Sequence, residues 1–183
     1  MQIKYAYLYP TKRDPAEFRP AAARNLGLEN SCGEYSVFAD GDVVPHRDFI
    51  RVITEYYRPF RVILGCRKRI PKEVVPSLTT SDVERIEQFV YQDDERLTDT
   101  ETGRRFLDLK DSTDSLGWSL GWGFLFSAKS DHFKELGGFD QRFTTYGAED
   151  FDMAERLCLG RACAFYALRE AVVYHLDHPP RYL

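Results

Sequence analysis

Short β-prone apolar runs alternate with helical stretches along the whole chain, and that alternation leaves few folds open. Runs at 3–9, 35–39, 61–66, 120–127, 162–168 and 171–175 read as strands, with 35–39 expected to be buried. Between them, 21–28 is an alanine-rich helix with Gly27 near its end. Pro45 opens a helix at 47–57 that sets Phe49, Ile50, Ile53 and Tyr57 on one face. Ser81 or Asp82 caps a helix through 97, with Val83, Ile86, Phe89 and Val90 at helical spacing. Segment 131–136 closes at Gly137-Gly138, and 149–159 closes at Gly160. Residues 98–117 are polar, contain Gly103 and Gly117, and read as a long flexible loop. Strands alternating with helices predict an α/β fold.

A chain of 183 residues suffices for one domain with a sizeable core, and 13 Phe with 11 Tyr argue against disorder. Lys and Arg number 25 against 29 Asp and Glu, a net charge of −4, so there is no basic excess to bind nucleic acid as a general polyanion. Arg67, Lys68 and Arg69 form a local basic cluster able to meet a phosphate. Cys32, Cys66, Cys158 and Cys163 make no C-x-x-C pair and no metal-finger spacing, as expected of reduced thiols in a cytoplasmic protein. The first residues lack the basic-then-apolar pattern of a secretory leader. No run approaches the roughly 18 apolar residues that span a bilayer, so any membrane association is expected to be peripheral.

Three groups of residues carry chemistry. The run 35–39 leads directly into Asp40-Gly41-Asp42, placing two carboxylates at a strand's C-terminal edge, where α/β proteins gather ligands. Hard oxygen donors at this spacing suit Mg²⁺ or Mn²⁺ shared with a diphosphate, although an ordinary acidic turn has the same sequence. Glu149 and Asp150 begin a helix, where acids are also favoured simply as caps, and Phe151, Ala154 and Leu157 form the core stripe behind them. Their side chains diverge by about 100°. His175 ends an apolar strand and offers an imidazole nitrogen to an ion; His178 and Pro179-Pro180 follow it. His46 and His132 look like surface helix residues, and Asp152 like a solvated or capping one.

Together these groups resemble a known family. Ala23-Arg24-Asn25-Leu26-Gly27, Gly33-Glu34-Tyr35, Asp40-Gly41-Asp42 and Pro45 are similar to the middle of glycosyltransferase family 2 enzymes. Gly137-Gly138-Phe139-Asp140, Phe143, Tyr146-Gly147-Ala148-Glu149-Asp150 and Arg156 resemble the galactosyltransferase C-terminal module. That module is shared with chondroitin polymerases and polypeptide N-acetylgalactosaminyltransferases. Val173-Tyr174-His175 resembles its histidine-bearing strand. The resemblance implies a GT-A, Rossmann-like mixed sheet flanked by helices, and a sugar transferase using a nucleotide-sugar, a UDP-sugar by preference, with Mn²⁺ or Mg²⁺ and a carbohydrate or other hydroxyl acceptor. It implies that Asp42 and His175 bind the metal, with Asp40 on the metal or the ribose. Asp150 would be the general base, and Glu149 would orient acceptor or donor sugar. Arg24 and Asn25 would lie near the donor. Trp122 would stand in the donor-sugar pocket, where it stacks on a sugar or simply packs in the core; Trp118 is similar.

The pattern is not matched everywhere. Tyr146 stands where Trp is common and Ala148 where Gly is common, which bears on the acceptor. Family members carry a nucleotide-binding strand–helix–strand unit ahead of the Arg24 helix, whereas about 20 residues precede it here. An N-terminally truncated domain is therefore expected, comprising 1–97 with the D-x-D turn, the loop 98–117, and an acceptor-side module at 118–183. A missing front would leave an exposed apolar sheet edge that self-association could cover. The Glu-Asp pair implies inversion at the anomeric carbon. Two rivals remain at this level: a non-catalytic sugar- or metal-binding remnant that needs a partner, and a nucleotide-sugar hydrolase.

Overall fold

A computed structural model describes residues 19–89, 91–93, 101–113, 125–144 and 148–179. Its centre is β3 (Arg61–Ile70), whose Val62, Ile63 and Leu64 are fully buried. Around it, β1 (Tyr35–Ala39), β5 (Leu125–Lys129), β3, β6 (Ala164–Leu176) and β2 (Val43–Pro45) lie in that spatial order, and β4 (Gln92–Asp93) pairs with the far end of β3. The β3–β6 pair is parallel and the other pairs are antiparallel, so the sheet is mixed. Helices flank it: α1 (Pro20–Asn30), α2 (Phe49–Tyr56), the single turn α3 (Thr80–Val83), α4 (Glu101–Leu107), α5 (Ser130–Glu135) and α6 (Glu149–Arg161). This is the α/β class expected.

One large core holds the sheet and helices together. Ala21 and Leu28 of α1, Phe49, Val52 and Ile53 of α2, and Met153, Ala154, Leu157 and Cys158 of α6 enter it at helical spacing. Phe38 meets the rings of Phe133 and Phe139 edge-on, both at 5.0 Å, which fastens the end of β1 to the turn after α5. A smaller cluster of Val44, Ile70, Ile86 and Tyr174 lies at the C-terminal ends of β3 and β6.

Several expectations are corrected. Strand β1 is half-buried rather than buried, because it ends the described strand order. Helix α1 continues through Gly27 to Asn30. Pro45 does not open α2; it sits in the end strand β2, where its missing N–H costs no ladder bond, and on α2 Val52 is buried while Ile50 is 69% exposed. The segment from 81 does not make a long helix. Thr79 and Asp82 form a reciprocal cap, but the helix lasts one turn and gives way to a 3-10 turn at Ile86–Gln88. Within 98–117 there is a helix, α4, whose Phe106 is buried, with Leu109 buried just beyond it. The strand expected at 120–127 is β5, five residues further on at its start, and 120–124 lie outside the described residues.

Helix α6 ends not at Gly160 but at left-handed Ala162, φ 51°. Its core stripe is Met153, Ala154, Leu157 and Cys158, with Phe151 only partly buried. The two last strands are one: β6 bulges between Ala167 and Val172, opposite Gly65 of β3. His132 is buried, not superficial, and its Nε2 lies 2.7 Å from the Pro59 carbonyl. His46 stands in the turn before α2 rather than on a helix. All four cysteines are among the described residues and none is bridged.

Candidate active site

The chain leaves β1 at Ala39, turns through Asp40-Gly41-Asp42 and re-enters the sheet as β2, at the opposite end of the strand order. Asp42 is thereby set beside the C-terminal end of β6: Val43 pairs with His175, and the Leu176 amide donates to the Asp42 carbonyl at 2.8 Å. His175 Nε2 lies 3.7 Å from Asp42 Oδ1, and His178 Nε2 lies 3.0 Å from Asp42 Oδ2. The three residues can present ligand atoms all within 4.8 Å of one another. The expected convergence of Asp42 with His175 is present. Asp40 is outside this trio, and His178 takes the third place.

The trio fits a divalent cation. Asp42 Oδ1 is buried with no hydrogen-bond partner among the described residues, an arrangement that is costly unless a cation or donor completes it. His175 Nδ1 lies 2.9 Å from Asp177 Oδ1, so that nitrogen is engaged by the carboxylate and Nε2 is the one on the side of Asp42. Asp177 is in turn gripped by Arg69, with Nε 3.0 Å from Oδ1 and Nη2 2.8 Å from Oδ2. Burial pushes the Asp177 carboxyl up, but the hydrogen bonds from Arg69 and His175 outweigh it and hold its pKa below the ordinary carboxylate value.

Asp40 faces the other way, toward Arg24 of α1. Arg24 Nη2 is 3.7 Å from Asp40 Oδ1, and Nη1 is 2.5 Å from Glu149 Oε1 at the start of α6. One guanidinium, 5.4 Å from the Phe139 ring centre, thus joins the D-x-D turn to the acidic helix start. Burial raises the Asp40 pKa; Arg24 opposes the rise and Asp42 adds to it. Glu149 is 2% exposed and Asp150 9% exposed. Asp150 Oδ1 accepts the Phe151 amide at 2.9 Å. The helix start is thus tucked in, tied through Arg24 to α1.

Asn25, beside Arg24 on α1, holds a turn. Its Nδ2 donates to the Phe139 carbonyl at 2.8 Å and its Oδ1 accepts the Phe139 amide at 2.7 Å, so both ends of the amide hold the turn after α5. Arg156 supports the same turn through the Leu136 and Gly138 carbonyls while pairing with Asp152. Of the basic cluster, Lys68 pairs with Asp93 and lies over the Tyr91 ring, and Arg69 is engaged with Asp177. Trp118, Trp122, Tyr146 and Gly147 lie outside the described residues. Sequence reasoning noted His178 without assigning it and did not weigh Asp177. The available signal was the pattern His175-x-Asp177-His178 after an apolar strand, whose period of two returns residue 177 to the side of 175.

The family described as Glycosyltransferase like family 2 matches residues 1–178. Two validoxylamine A glucosyltransferases, from Streptomyces hygroscopicus subsp. jinggangensis (strain 5008) and subsp. limoneus, are each 25% identical over 169 residues. Each alignment takes in 86% of this chain, but only 38% and 35% of those proteins, so the chain spans little more than a third of their length. A mannosyltransferase from Pyrobaculum calidifontis, solved with GDP-Man and Mn²⁺, superposes with a TM-score of 0.48 at 18% identity. That match covers 88% of this chain and 37% of that one. No described helix is long and apolar enough to cross a membrane.

Proposed function

The chain belongs to the glycosyltransferase-like family 2, and from that premise we propose that it forms the metal-binding catalytic part of an inverting, nucleotide-sugar-dependent glycosyltransferase. The observation that carries the reading is the meeting of Asp42, His175 and His178 beside a turn whose other acid, Asp40, is tied through Arg24 to the Glu149-Asp150 helix start. Asp42, His175 and His178 would hold a divalent cation. One carboxylate with two imidazoles favours a first-row transition ion such as Mn²⁺ over Mg²⁺, which prefers oxygen ligands. When bound, the ion would supply positive charge to offset the leaving diphosphate.

Asp150 is the proton acceptor. It takes the proton from the acceptor hydroxyl as that oxygen bonds to the anomeric carbon, and the bond from that carbon to the diphosphate oxygen breaks on the opposite face. The products are a glycoside of inverted configuration, a nucleoside diphosphate and protonated Asp150. Glu149, spent on Arg24, holds the guanidinium between the two halves of the site rather than touching the acceptor. The motif resemblance favours a UDP-sugar donor and a carbohydrate acceptor.

The test is calorimetric and catalytic. Full-length protein should bind UDP in the presence of Mn²⁺ and release UDP from a UDP-sugar. Asp42→Asn should weaken Mn²⁺-dependent UDP binding at least tenfold. UDP binding that is equally tight in chelator would remove the metal from the reading. Tight Mn²⁺ and UDP binding with no turnover on any donor would leave a binding module.

A further inference from the structure

We propose that Asp177, gripped by Arg69, is the positioning residue of the Asp42–His175–His178 site: it sets which nitrogen of His175 faces the cation and where His178 stands. This rests on the metal-site reading above. Asp177 is not one of the three ligand residues; it acts through its neighbours.

Three contacts make the case. Asp177 Oδ1 lies 2.9 Å from His175 Nδ1, which engages that nitrogen and leaves Nε2 directed toward Asp42 Oδ1, 3.7 Å away. Arg69 holds the same carboxylate by both oxygens, at 3.0 and 2.8 Å, so the acceptor cannot rotate away from the ring. The Asp177 amide donates to the Ile70 carbonyl at 3.1 Å, which carries the β3 pairing one residue past the end of β6. That bond fixes the chain at the point where the next residue, His178, turns back to Asp42. A single residue thus controls both imidazoles, one through its side chain and one through its backbone. Arg69 stands opposite His175 in the parallel β3–β6 register, so the sheet itself delivers the clamp.

Outer groups of this kind orient metal-bound histidines, and their loss typically lowers metal affinity by about 10–100-fold. The experiment is Mn²⁺ titration of the full chain by calorimetry, with pulsed electron paramagnetic resonance to detect imidazole nitrogen coupled to the ion. Wild type, Asp42→Ala, Asp177→Ala and Arg69→Lys are compared, each below its melting temperature measured in chelator. Asp177→Ala should lose roughly 10–100-fold in Mn²⁺ affinity and show weakened nitrogen coupling. Arg69→Lys keeps the positive charge but not the fork, and should fall between Asp177→Ala and wild type even if Asp177→Ala folds poorly. Wild-type affinity and coupling in both Asp177→Ala and Arg69→Lys, with binding abolished in Asp42→Ala, overturns the positioning role while leaving the metal site standing. Mn²⁺ binding that Asp42→Ala does not change, or none in wild type, overturns both.

Discussion

Glu149 and Asp150 are adjacent in sequence but differ in what their carboxylates do. Glu149 is the more buried and forms the 2.5 Å pair with Arg24, whose side chain is 15% exposed. Removing one member of a buried pair costs about 3–5 kcal/mol, and here Asp40, 3.7 Å from Arg24, offsets part of that loss. Glu149→Gln should therefore lower the melting temperature as well as the rate. Asp150→Asn keeps the side chain's size and leaves an amide oxygen able to accept the Phe151 N–H, so it should reduce kcat by about 10²–10⁴ with donor affinity close to wild type and a smaller fall in melting temperature than Glu149→Gln. Thermal melts, kcat and donor Kd measured on both variants separate the roles. An Asp150→Asn protein with near-normal kcat would pass the role of base to another group. The sequence singles out these two acids as site candidates because they follow Gly137-Gly138-Phe139-Asp140 at family-like spacing. Which of them is bound to Arg24 was not legible, since that depends on the packing of α1 against α6.

At the scale of elements, two joints hold the site in place. Asn25 fastens α1 to the turn after α5 by a donor and an acceptor on Phe139, at a point where Gly138 has φ +76° and a Cβ there would meet Asn25 Oδ1 at 2.5 Å. Asn25→Ala strands both backbone groups of Phe139, each worth about 1–3 kcal/mol when buried and unsatisfied. Gly65 is the second joint. A Cβ at this position of β3 would lie 1.7 Å from Leu125 Cδ2 of β5 and 2.6 Å from the Ala171 carbonyl in the β6 bulge. Gly65→Ala should cost about 1–3 kcal/mol, or more where the Ala171 backbone cannot yield. Chemical denaturation of both variants checks these values; wild-type stability in either would mean that the joint is slack. The strands of this sheet were mostly legible because short Val-, Ile- and Phe-rich runs have no other use. The helices at the periphery were less so. In α3, Thr79 and Asp82 announce a cap, but Val83 finds no core to enter and is 44% exposed, so the helix stops. In α4, a single anchored Phe106 among polar neighbours gives no stripe to read, yet it is fully buried.

At the scale of the whole molecule, the candidate cation site closes a circuit in the chain. Asp42 precedes β2, His175 stands near the end of β6 and His178 two residues beyond that strand, so a bound ion would tie together segments more than a hundred residues apart. The sequence made Asp42 and His175 recognisable separately; their separation of 3.7 Å follows from β2 pairing with β6, a tertiary event with no local signal. A ligand that binds only the native state stabilises it by RT ln(1 + [L]/Kd), about 2.7 kcal/mol at a hundredfold excess over Kd. For a chain of this length each kcal/mol raises the melting temperature by roughly 2–4 °C. Saturating Mn²⁺ should thus raise it by roughly 5–10 °C over chelator-treated protein. Mg²⁺ should do less at equal concentration, because two of the three ligands are imidazoles. Asp42→Asn should abolish the Mn²⁺ shift while changing the melt in chelator little, since Asp42 Oδ1 has no hydrogen-bond partner among the described residues and an amide oxygen can still take the place of Oδ2 beside His178. An Mn²⁺ shift of equal size in wild type and Asp42→Asn would place the ion elsewhere, and no shift in wild type would mean that the trio stands as a hydrogen-bonded Asp–His pair and holds no metal.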